Sequence, residues 1–60
     1  MLRRVRILEG FPEMIGKTGT VIGKEMKMLR VRFDEPVEIP GIGIVKDDLW
    51  EPRLLKTIRN

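Results

Sequence analysis

The run Met28-Leu29-Arg30-Val31-Arg32-Phe33 alternates apolar and charged side chains in all but its first step. A period of two puts Leu29, Val31 and Phe33 on one face and Met28, Arg30 and Arg32 on the other, which is the pattern of a strand with one face buried. KEMKMLR contains good helix formers, so a helix over 24–33 is the competing reading. The alternation ranks it second. Around this strand the chain supplies partners. Val5 and Ile7 alternate with Arg4 and Arg6, predicting a strand over 3–8, and the β-branched stretch TGTVIGK predicts one over 18–24. Gly43–Lys46 reads as a short strand, and LLKTI at 54–58 as a closing strand paired with the first. Gly10, Pro12, Gly16 and Gly19 mark an ordered, irregular loop between the first two strands. KEMK at 24–27 suits a hairpin loop.

Asp34-Glu35-Pro36 is expected to stop the third strand, because a proline cannot donate to a central ladder. Val37 and Ile39 then line a short extended piece before a Pro40-Gly41 turn. Asp47 is expected to cap a single helical or 3-10 turn that ends near Pro52. These pieces give an all-β fold. Five short strands in 60 residues need mutual closure to cover their edges, so the expected architecture is a small, strongly bent, partly open five-stranded barrel of the SH3-like kind. It forms one domain over 1–60, with the barrel over 3–58. Its expected core is Val5, Ile7, Ile15, Val21, Leu29, Val31, Phe33, Ile44 and Leu49. A chain this short buries only roughly 60% of its unfolded surface, so the core is small.

The residue inventory narrows function. There is no Cys, His, Ser, Gln, Tyr or Ala. A conventional serine or cysteine nucleophile with an imidazole base is excluded, as are disulfides and a structural zinc site. A chain without Cys suits a reducing cytoplasm. No stretch approaches the roughly 18 apolar residues of a membrane span, and MLRRVRILEG lacks a long apolar signal core. Asp47, Asp48 and Glu51 are a conceivable site for a hard cation, but adjacent acids opening a helical turn read better as caps and dipole partners. No metal, no cofactor and no catalytic residue is expected.

Charge carries most of the functional signal. The net +3 hides a segregation: residues 1–32 carry +5, residues 33–52 carry −5, and residues 53–60 carry +3. Alternation turns Arg4, Arg6, Arg30 and Arg32 outward, and Lys56 and Arg59 join them if the last strand pairs with the first. With Lys17, Lys24 and Lys27, these arginines form a candidate surface for phosphate or for an acidic protein. The acidic segment folding over the arginines would instead leave ordinary solvated charge. Among the aromatics, Phe33 belongs to the core. Phe11 is the exposed candidate in its Gly/Pro loop, and Trp50 either covers the open end of the barrel or anchors an interface. Met14 reads as core filling.

The stretches Val5–Ile7, Gly16–Lys24 and Leu29–Pro36 together resemble the SH3-like superfamily. Gly19-Thr20-Val21 is similar to the KOW motif of ribosomal proteins and NusG-type transcription factors. The succession Val5–Ile7, Gly19–Val21 and Val31–Asp34 is similar to the ferredoxin-docking barrel of photosystem I. The whole also resembles small phage or bacterial proteins. The first likeness implies a module that binds nucleic acid or a nucleoprotein assembly. The second implies a protein-docking or modulator module that meets an acidic partner. Type II dihydrofolate reductase shows that such a barrel can be an enzyme, but its barrel-lining segment relies on Gln and Tyr, which this chain lacks. Dimerisation through exposed sheet edges is compatible with either binding role.

Overall fold

The computed structural model describes residues 3–59. The protein is all-β. The strands are β1 (Arg4–Ile7), β2 (Thr18–Glu25), β3 (Met28–Ile39), β4 (Gly43–Trp50) and β5 (Leu55–Thr57), with one 3-10 turn at Pro52–Leu54. They form a single antiparallel sheet in the order β4-β3-β2-β1-β5, which is not closed. The expected strands at 3–8 and 18–24, the hairpin loop after β2 and the pairing of the last strand with the first are all present.

β3 does not stop at Asp34-Glu35-Pro36, as expected, but continues to Ile39. The pairing explains why the proline is tolerated. Arg32 pairs with Asp47 and Val37 with Val45, so residues 33–36 of β3 are set against Lys46 alone. Pro36 lies in this offset and has no ladder partner to supply. β4 likewise continues through Asp47-Asp48-Leu49-Trp50, because β3 occupies the backbone there from Leu29 to Arg32. Asp47 is therefore a strand residue and not a helix cap. The turn comes later. Glu51 precedes it without a side-chain cap, and Pro52 opens it with a φ already suited to a first turn.

One face of the sheet wraps around a core of Val5, Ile7, Met14, Val31, Phe33, Val37, Ile39, Trp50 and Leu55, with Val21, Leu29, Val45 and Leu54 packed at its margin. Three expected core residues, Ile15, Ile44 and Leu49, lie outside. Ile15 is 52% exposed because its neighbour Met14 turns inward, in a loop tied by Met14 N–H to Phe11 O and Lys17 N–H to Met14 O. Ile44 is 68% exposed because it is opposite Glu38, between the pairs of the inward-facing Val37 and Ile39. Val45 and Trp50, five residues apart, both reach the core. In a regular strand they would point to opposite faces. Leu49 is only half-buried.

Trp50 meets Phe33 edge to face, with ring centroids 6.5 Å apart. Its six-membered ring lies so close to Gly10 that a Cβ there would stand 2.7 Å from it. Gly19 is required for a different reason. It lies against β3, where a Cβ would come within 2.4 Å of the Arg32 carbonyl oxygen.

Candidate nucleic-acid interface

The opposite face of the sheet carries the charge. Strand pairing sets Arg4 beside Thr20 and Thr20 beside Arg32, which faces Asp47 in β4. One step along, Lys56 of β5 is directly opposite Arg6, and Arg6 is opposite Thr18. Arg4, Arg6, Arg30, Arg32 and Lys56 thus share the outer face. Alternation made the four arginines legible, and the pairing of β5 with β1 adds Lys56.

Two of these cations are already occupied. Arg4 grips Asp34 bidentately, at 2.5 and 2.6 Å, and its Nη1 also donates to the Thr20 hydroxyl. The Thr18 hydroxyl donates to Asp34 as well. Asp34 accepts these charge-assisted bonds as a carboxylate, so the Arg4 guanidinium and the Thr18 hydroxyl hold its pKa down at about 2. The same bond raises Arg4. Arg30 bridges Glu25 at 2.6 Å and Asp47 at 2.8 Å. This raises the Arg30 pKa and lowers that of Glu25. The acidic segment does fold onto the arginine strands, through Asp34 and Asp47. Of the four arginines, Arg4 and Arg30 are thereby neutralised.

Arg6, Arg32 and Lys56 remain exposed and, among the described residues, have no carboxylate partner within salt-bridge reach. Arg6 and Lys56 are like charges in direct cross-strand register, an arrangement that opposes folding. Arg59 is exposed but lies beyond β5.

The three lysines expected to join the surface do not. Lys17 closes the loop before β2 and lines a cleft of about 590 Å³ with Glu13, Asp34, Glu35 and Glu38. Lys24 follows an irregularity at Ile22 that shifts the β2 register, so it pairs with Leu29 on the core side. Lys27 is in the β2–β3 turn.

The two aromatic candidates also separate. Phe11 is 49% exposed, in the loop between β1 and β2. Trp50 is 6% exposed and belongs to the core, so it does not stand out as an interface anchor. Both line a second cleft, of about 480 Å³, with Pro12, Met14, Asp48 and Leu49. Asp47 and Asp48 are successive strand residues and turn to opposite faces, which separates them as ligands for one cation. Among the described residues no set of three or more carboxylates is arranged to hold a metal ion, and no helix is long and apolar enough to cross a membrane.

No family model, curated protein or solved structure matches the chain.

Proposed function

We propose that the protein is a non-catalytic binding module, an SH3-like barrel in kind, that holds nucleic acid, free or within a nucleoprotein assembly, on the outer face of its sheet. One observation carries the reading. Arg6 and Lys56 are directly opposed and exposed, and Arg32 is exposed two strands away, and among the described residues none of the three has a carboxylate within salt-bridge reach. Surface charges contribute little to folding, and like charges in register oppose it. An external anion supplies the counter-charge that the chain withholds from these three while granting it to Arg4 and Arg30. The Gly19-Thr20-Val21 stretch, similar to the KOW motif, agrees with this reading, and a reducing cytoplasm suits a chain without cysteine.

A titration of labelled nucleic acid at low salt tests it. Arg6→Glu with Lys56→Glu is expected to leave the fold intact and weaken binding at least tenfold, about 1.4 kcal/mol. Unchanged binding by that double variant overturns the proposal. Arg30 is unsuited to the test, because a glutamate there would face Glu25 and Asp47.

An acidic protein is the second reading. The half-exposed Phe11 favours it, as an apolar contact in a cleft with Pro12, Met14 and Leu49. Capture of an acidic protein that is lost both in the double variant and on Phe11→Ala, with no binding to nucleic acid, supports this reading.

A further inference from the structure

The outer face offers phosphates a landing surface but gives bases nothing to stack on. We infer that its occupant is a double helix held by its phosphodiester backbone, not an unpaired strand read through its bases. This rests on the nucleic-acid reading above. The chain has three aromatic residues, Phe11, Phe33 and Trp50. Phe33 and Trp50 are 5% and 6% exposed and pack edge to face with each other on the core side. Phe11 sits in the β1–β2 loop against the cleft it shares with Trp50 and Met14. None stands in the cross-strand rows that carry Arg6, Arg32 and Lys56.

Modules that hold single strands without sequence preference combine a cationic track with aromatic platforms, because unpaired bases expose faces that seek a stacking partner. This sheet has the track alone. A duplex stacks its own bases and asks only for its phosphates to be met. It also presents charge more densely than one strand, about one per 1.7 Å of axis. Arg6 and Arg32 supply planar forks that match phosphate oxygens, and Lys56 supplies a point charge beside Arg6. Thr18 and Thr20, the polar side chains lying between these cations, are committed to Asp34 and Arg4. They do not reach out to read base edges. Recognition of this kind is independent of sequence.

The test is fluorescence anisotropy with the full chain at low salt, against short duplex DNA, duplex RNA, oligo-dT and oligo-dA, with polyglutamate as a competitor. Both duplexes are expected to bind at least about threefold more tightly than either single strand, whatever their sequence, and Phe11→Ala changes none of these affinities. The affinity for duplex DNA falls with salt at a log–log slope of about −2.7, the value for three neutralised phosphates. A single strand bound as tightly as the duplex, or one whose binding weakens on Phe11→Ala, overturns the inference and leaves the basic-face reading standing. No binding to any nucleic acid overturns that reading itself. Polyglutamate competing as well as duplex DNA assigns the surface to an acidic protein and overturns both.

Discussion

At the tip of the β2–β3 hairpin a methionine adopts φ 56°, a conformation that glycine reaches freely and a side chain with a Cβ does not. Met26 is 94% exposed, so no packing compensates. Met26→Gly is expected to raise stability by up to about 1 kcal/mol, the relief of left-handed backbone strain less the extra entropy of an unfolded glycine. Urea unfolding measures it, and a loss of stability would show that the methionine makes a contact of its own. Gly19→Ala has the opposite sign. The new methyl would meet the Arg32 carbonyl and a Val31 methyl, so β2 and β3 must part, and a cost of about 1–3 kcal/mol is expected. Val31→Ala removes two methyl groups from a fully buried site and should cost about 2 kcal/mol by the same measurement. A cost near zero would contradict the burial of Val31. Val31 and Phe33 were legible because strict alternation leaves one choice of face. Ile15 was not. In a loop with no period, nothing in the residue types distinguishes Ile15 outside from Met14 inside.

The lesson differs for whole strands. β1, β2 as far as Val21 and the first half of β3 follow their alternation, and the sequence reading holds there; beyond Val21 the irregularity at Ile22 reverses the faces of Gly23 and Lys24. β4 does not, because the offset at residues 33–36 shifts which positions face in, and such an offset is a property of two strands together. The expected end of β3 failed for the same reason: a proline ends a regular ladder but passes through an irregular one. The charged face was half legible. Its arginines follow from period two, whereas their counter-ions Asp34, Glu25 and Asp47 depend on strand register. These ion pairs give the sheet an acid-sensitive element. Asp34 is held at about 2, below its unfolded value of about 3.9, so its ion pair stabilises the fold above about pH 4. The contribution is lost as pH falls toward 2. Asp34→Asn should therefore melt at a lower temperature than the parent at neutral pH, by a small margin because the pair is partly exposed. The gap should close as the solution is acidified to pH 2. A gap that persists there would mean that the hydroxyl and amide bonds, not the charge, hold the site.

At the scale of the molecule, every strand pairing but one among the described residues joins neighbours in the chain: β1 to β2, β2 to β3, and β3 to β4. The exception brings β5 back to β1, across most of the chain's length. It rests on the Val5–Thr57, Arg6–Lys56 and Ile7–Leu55 pairs, flanked by Leu8 N–H to Leu54 O and Ile58 N–H to Arg4 O. A strand so short, paired on one side, belongs to the part of a fold that opens first. Lys56 rides on it, so the group of unpaired cations exists complete only while β5 is docked. Anion binding and the order of this segment are thereby linked: a polyanion that bridges Arg6 and Lys56 stitches β5 to the sheet, and its amides should exchange with deuterium more slowly in the complex than in the free protein. The loosest strand would then act as a clasp that the ligand itself fastens.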